Sequence, residues 1–241
     1  MNKLTLLGTG TNKIEVDRMA SSVLLELGKT TIVYDIGRGV TQRLAQLGRR
    51  LNDIEHIITS HFHADHISDL VPYLHSAVYV GDKRNKPLNI YGPEGVDEMV
   101  NKVIDMLGYL DLEPRPFEFD ITVHEFHSGE FLKIDDQEFE PVALPPVNNH
   151  GIRFEVNGKT VCLTGDSNFH QEEIEFLKNC DIAIIDSGHI TDDEIVELIK
   201  QSRPGATYLS HVNRELDAGS FRKLTGENVV LGRDLMEIDL D

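Results

Sequence analysis

Residues 61–66 read His-Phe-His-Ala-Asp-His, so His61, His63, Asp65 and His66 place three imidazoles and one carboxylate in a single short stretch. Imidazole and carboxylate are the donor set for zinc and neighbouring divalent transition metals. The stretch follows directly on the apolar run 56–59, His-Ile-Ile-Thr, which reads as a strand. A strand that stops there frees the next residues to turn their side chains toward one point, while Phe62 and Ala64 anchor the loop. An open catalytic metal takes three protein ligands and keeps one position for water or substrate, so four donors from one loop imply two ions.

Elements on either side must carry the remaining donors to the same place. In the first half, 4–7, 22–27 and 31–34 read as short strands, the last two joined by a Gly28-Lys29 turn. Val40, Leu44 and Leu47 keep a helical spacing that ends at Gly48, and Leu70, Leu74 and Val78 mark a helix over 67–80. A strand over 88–91 and a helix face of Val96, Met99, Val100, Val103 and Leu107 follow. The second half alternates strands at 121–126, 138–143, 151–156 and 160–163, with Asn157-Gly158 as the turn between the last two. Helices carrying Ile174, Phe176 and Leu177, then Ile195, Leu198 and Ile199, flank strands at 181–185 and 207–209. This order predicts an α/β protein in which helices cover sheets.

Size and charge narrow the function. The chain has 241 residues, 40% of them apolar, and no Pro/Ser/Gly-rich linker, so one domain over 1–241 is expected. Against 23 Lys and Arg stand 41 Asp and Glu, a formal charge of −18. A long polyanion gripped through its phosphates requires the opposite sign over a broad surface, which disfavours long RNA or DNA. The expected partners are a small-molecule substrate and at most a second copy of the chain in a homodimer, with no membrane. The longest apolar runs are strand-length and the first residues enter a strand pattern directly, which predicts a cytoplasmic location. Cys162 and Cys180 lie in or beside apolar runs and read as buried structural thiols.

His61-Phe62-His63-Ala64-Asp65-His66 resembles the H-x-H-x-D-H signature of the metallo-β-lactamase-fold hydrolases. Segments 6–10, 33–37, 163–167 and 209–211 match that superfamily in order, and 87–95 and 188–191 resemble its ribonuclease Z and phosphodiesterase branch. The resemblance implies a four-layer αββα sandwich with the metals at one edge of its two sheets. It also implies the remaining ligands: His61, His63 and His150 on one ion, Asp65, His66 and His211 on the other, and Asp166 bridging both. The expected ions are two divalent metals, zinc first, with manganese or iron as alternatives.

One position departs from the family pattern. Members usually place a histidine several residues before a Gly-hydrophobic-Arg strand, whereas here His150 abuts Gly151-Ile152-Arg153. Either His150 reaches the first ion from a tight turn, or that ligand is lost and Asn148 or Asn149 lies near its place. The expectation favours His150, since imidazole is the common ligand and an asparagine amide a weak one.

Two bridged dications lower the pKa of a shared water and bind an oxygen of the electrophile, so the chemistry expected is hydrolysis by a metal-bound hydroxide. Asp65 and His189 are the catalytic candidates. Asp65 can orient the water, and His189 resembles the histidine that protonates the leaving group in the ribonuclease Z branch. The same stretch also reads as a helix start, with Thr191 to Glu194 as its capping segment. Arg18, Arg153 and Lys159 are candidate phosphate contacts, while His56, His75, His124, His127 and His170 match no ligand position.

Ribonuclease Z proteins carry a basic clamping arm for which the segment between Gly95 and Phe117 has no room. A small phosphodiester such as a cyclic nucleotide is therefore the first substrate class. A lactone or thioester hydrolase, a ribonuclease Z-like tRNA 3′ endonuclease and a non-catalytic metal-bound binding protein are the alternatives. The flavin-dependent di-iron relatives replace the second histidine of the motif by glutamate; His63 is intact, which argues against a redox role.

Overall fold

The computed structural model describes residues 2–78, 84–108, 117, 119–146 and 148–241. The first half runs β1 (Lys3–Gly8), β2 (Ser22–Leu27), β3 (Thr30–Tyr34), α1 (Val40–Gln46), β4 (His56–Ile58), α2 (Ala64–Ile67), α3 (Leu70–Val78), β5 (Leu88–Gly92), α4 (Val96–Gly108) and β6 (Ile121–Glu125). The second runs β7 (Leu132–Ile134), β8 (Gln137–Leu144), β9 (Asn149–Val156), β10 (Lys159–Leu163), α5 (Gln171–Leu177), β11 (Ile182–Asp186), α6 (Asp192–Ser202), β12 (Ala206–Ser210), α7 (Ala218–Thr225), β13 (Asn228–Leu231) and β14 (Met236–Asp239).

These strands form two seven-stranded mixed sheets, ordered β14-β1-β2-β3-β4-β5-β6 and β13-β12-β11-β10-β9-β8-β7. Strand alternation divides each apolar run between two cores. In β11, Ile182 and Ile184 face the gap between the sheets, where they meet Leu4, Leu6, Ile58, Phe139 and Phe154. Its Ala183 and Ile185 face outward onto Ile195, Leu198 and Ile199 of α6. The first sheet does the same, with Leu7, Val33, Ile57 and Ile90 packed under α1, α3 and α4. The result is the expected four-layer αββα sandwich.

The tail closes the first sheet, as β14 pairs antiparallel with β1 and sets Ile238 opposite Leu4. The helix expected over 67–80 is interrupted after α2. Asp69 sends its N–H to Ile36 O, and its carboxylate accepts from Gly39 N, Thr41 N and Thr41 Oγ1, which ties this point to the start of α1. The end of that expected helix at Val80, and most of the segment between Leu107 and Phe117, lie outside the described residues. Among the described residues no helix is long and apolar enough to cross a membrane.

Candidate metal centre

Strands β3 and β4 run parallel to each other in one sheet, as do β10, β11 and β12 in the other, and all five end at the same edge of the sandwich. In open α/β sheets the carboxyl ends of such strands are where ligands bind. Asp35 follows β3, the 61–66 loop follows β4, Asp166 follows β10, His189 follows β11, which ends on Asp186, and His211 follows β12. The edge thus collects side chains from positions 35 to 211 of the chain.

Asp166 is at the centre, and its two oxygens face different partners. Its Oδ1 lies 2.9 Å from His66 Nε2 and 3.3 Å from His211 Nε2. Its Oδ2 lies 3.5 Å from His61 Nε2, 3.9 Å from His63 Nδ1 and 3.9 Å from His189 Nδ1. Asp65 Oδ2 is 3.4 Å from His211 Nε2. Three groups of donor atoms result, each within 4.8 Å: His61, His63 and Asp166; Asp65, His66 and His211; and Asp166, Asp186, His189 and His211.

A second layer fixes these rings. Asp35, 1% exposed, lies 2.7 Å from His66 Nδ1 and accepts from Ser60 N and Ser60 Oγ. Ser60 Oγ in turn lies 2.9 Å from His61 Nδ1. Asp186 accepts from Gly188 N, Ser167 N and His189 Nδ1, the last at 2.6 Å, and its Oδ1 is 3.3 Å from His211 Nδ1. Both Asp35 and His211 hold positive φ, 59° and 52°, a left-handed conformation that costs most side chains free energy and that Asp and His tolerate better than most. Gly188 is required at the same place, since a Cβ there would lie 2.4 Å from His211 O.

The buried charges of the cluster shift one another's pKa values. Burial opposes charge on His66, but Asp35 and Asp166 on either side raise its pKa well above the usual value. His211 is likewise opposed by burial and pushed up to about 10 by Asp186 and Asp65. Burial, then the charge on His66, lowers His61 to about 4. The Asp166 carboxyl, despite burial, is held far below the usual range by His66 and His211, and Asp65 is lowered to about 2 by His211 and His66 against the effect of burial.

Buried His61 Nε2, His66 Nε2 and Asp166 Oδ1 have no hydrogen-bond partner, although the last two are 2.9 Å apart. Buried polar atoms are ordinarily paired, and unpaired imidazole nitrogens converging on a carboxylate are the arrangement a divalent cation satisfies. The donor set fits zinc and its neighbours.

The structure therefore brings together His61, His63, Asp65, His66, Asp166, His189 and His211. His150 stands apart from them. It lies in the β8/β9 ladder opposite Ala143, with its N–H on Ser60 O and its C=O accepting from Tyr34 OH. That register puts it on the same face as Ile152 and Phe154, and its ring packs edge-on against Phe126 at 5.4 Å with Nδ1 3.3 Å from Asn148 O. It enters none of the three donor groups. Asn149 instead stands beside the centre, accepting from Asp166 N through Oδ1 and donating to Thr164 O.

Two proposed phosphate contacts also fall away. Arg153 donates to Phe176 O and Lys178 O on the helix-covered face, and Lys159, at the opposite end of β10, reaches Asp241 O. Arg18 is held near the site by Thr9 Oγ1 and Gly232 O. Thr191 caps α6 in a reciprocal pair with Glu194, as the helix-start reading expects, and His189 precedes that cap. Sequence reasoning did not single out Asp35 or Asp186 as ring-orienting carboxylates. The available signal was an acidic residue closing an apolar strand run, which both of them show.

These features define a class of protein: an αββα sandwich with a histidine- and aspartate-lined edge. Residues 16–211 match the metallo-beta-lactamase superfamily, and the chain belongs to it. The chain is 27% identical over 304 aligned positions to a ribonuclease Z of Methanosarcina mazei, covering all of this chain and 98% of that one. It is 30% identical over 183 positions to the ribonuclease Z of Mycobacterium bovis, of which it spans 63%. Among solved structures, the short form of human tRNase Z superposes with a TM-score of 0.78 at 21% identity, covering 99% of each chain. A diphosphatase of the PhnP family superposes at 0.74 with 19% identity, covering 100% and 98%.

Proposed function

We propose that this hydrolase is a binuclear metal-dependent phosphodiesterase acting on a small diester such as a cyclic nucleotide. Asp65, His66 and His211 would hold one ion and His61 and His63 the other, with Asp166 shared between them. His150 has no part in this assignment. Bound divalent ions supply a nucleophile at neutral pH and polarise the electrophile.

One observation carries the reading: His189 lines the same cleft as His63, Asp65, Asp166 and His211, and its Nδ1 is held by Asp186 at 2.6 Å. That bond leaves Nε2 to carry a proton to the departing oxygen, and the bond to Asp186 raises the pKa of His189, which favours the protonated ring. A basic alkoxide needs such an acid, a thiolate does not. In this reading Asp65, which lines the same cleft, orients the attacking water.

A second reading, a tRNA 3′ endonuclease, is favoured by the end-to-end match to the M. mazei ribonuclease Z. The net charge of −18 argues against it, because a long polyanion is held by many cationic contacts. The test is a panel of nitrophenyl and nucleotide diesters, lactones, thioesters and precursor tRNA offered to metal-replete protein. Turnover of the diesters above all others is expected. Efficient precursor cleavage that falls steeply with added salt would establish the second reading, and lactone turnover with inert diesters would reject both.

A further inference from the structure

The two halves of the centre are built to different standards. On one side Asp65, His66 and His211 converge with Asp166 Oδ1, giving four protein donors, the number that closes a tetrahedral site. His66 has a carboxylate hydrogen-bonded behind it, Asp35 at 2.7 Å from Nδ1, and His211 has Asp186 within ion-pair distance of its Nδ1 at 3.3 Å. Such outer partners fix ring orientation and tautomer, and their loss typically weakens metal binding about 10- to 100-fold.

On the other side stand only His61, His63 and Asp166 Oδ2. His61 is backed by a neutral hydroxyl, Ser60 Oγ at 2.9 Å, in place of a carboxylate. The His63 side chain is 69% exposed. The imidazole nearest in sequence to completing this set, His150, is turned into the gap between the sheets by its ladder register and packs on Phe126. Three donors are one short of a closed tetrahedral set, and two of them, His63 and Asp166, line the same cleft as His189, whose Nδ1 is 3.9 Å from Asp166 Oδ2.

We propose that the two metal positions are unequal: a resident ion held by Asp65, His66, His211 and Asp166, and an exchangeable ion held by His61, His63 and Asp166 alone, with its open position turned toward the substrate cleft. The inference rests on the reading of this cluster as a binuclear centre.

Isothermal titration of metal-stripped protein with Zn²⁺ and with Mn²⁺, followed by metal analysis after dialysis, tests this without any substrate. Two binding steps are expected, separated by about 10- to 100-fold or more in affinity, with one ion per chain surviving dialysis. His63→Ala, at an exposed position, should erase the weak step and leave the tight one. Asp65→Asn should weaken the tight step. Two steps of equal affinity, loss of the tight step in His63→Ala, or no binding at all would overturn the proposal. Failure of the phosphodiester reading alone would leave these titrations as expected, so the two can fail separately.

Discussion

Asp186 accepts the Nδ1 hydrogen of His189 at 2.6 Å while fully buried, which makes His189 the one imidazole at the cleft whose orientation is set by a carboxylate but whose ring remains partly open, its side chain 39% exposed. An imidazole held at Nδ1 with Nε2 turned to a cleft is suited to proton transfer.

If His189 protonates the leaving oxygen, its absence matters most when that oxygen is a basic alkoxide. His189→Ala should lose about 10² to 10⁴ in rate on a nucleotide diester, the usual worth of general-acid assistance. On a nitrophenyl diester, whose leaving group needs little help, most activity should remain. Equal losses on both substrates with metal retained would assign the residue to positioning, and loss of metal would make it a ligand.

Asp166 is the one donor shared by both sides of the centre. Asp166→Ala should therefore release both ions, which elemental analysis of metal-replete protein would detect directly. Retention of one tightly bound ion would show that Asp166 does not bridge.

His150→Ala should leave metal content and activity unchanged, because the ring belongs to the packing around Phe126. The expected effect is on stability, a loss of about 1 to 3 kcal/mol for a buried side chain removed from a core, read from denaturant unfolding. A fall in metal content at unchanged stability would restore His150 to the ligand set.

Glu173, on α5, is fully buried with neither carboxyl oxygen hydrogen-bonded. Burial first, then the charge of Asp186, pushes its pKa up to about 8. The folded pKa exceeds the unfolded value of about 4.3, so the folded state binds the proton more tightly. The contribution to stability is full below that unfolded value and is lost as pH rises through about 8, at up to about 1.4 kcal/mol per pH unit within the window. Glu173→Gln removes the titration while keeping the shape. Unfolding midpoints of both proteins at several pH values should diverge in favour of the variant as pH rises, whereas parallel curves would show that Glu173 is ionised or hydrated in the fold.

Much of this protein is legible along the chain because its chemistry is local. The 61–66 loop carries its own donors, and Asp166, His189 and His211, which the family resemblance nominated, each follow an apolar strand run. The continuous burial of β11 and the positive φ of both Asn157 and Gly158 follow from the same short-range signals. Short elements with weak patterns, β7, β13, β14 and α7, escaped notice because their place depends on pairing or packing with segments distant in sequence, as β14 pairs with β1 across the whole length of the chain. The fate of His150 was decided in the same way. Its residue type and its place before Gly151 suit a ligand, but a strand's side chains alternate, and the register of β9 against β8 sends His150 to the inter-sheet face. Asp35 met His66, and Asp186 met His211, only when the neighbouring parallel strands β3 and β4 in one sheet and β11 and β12 in the other ended at one edge. Sequence alone named the donors; the pairing of strands fixed which imidazoles meet a carboxylate, because register and strand direction, unlike residue type, are properties of the assembled sheets.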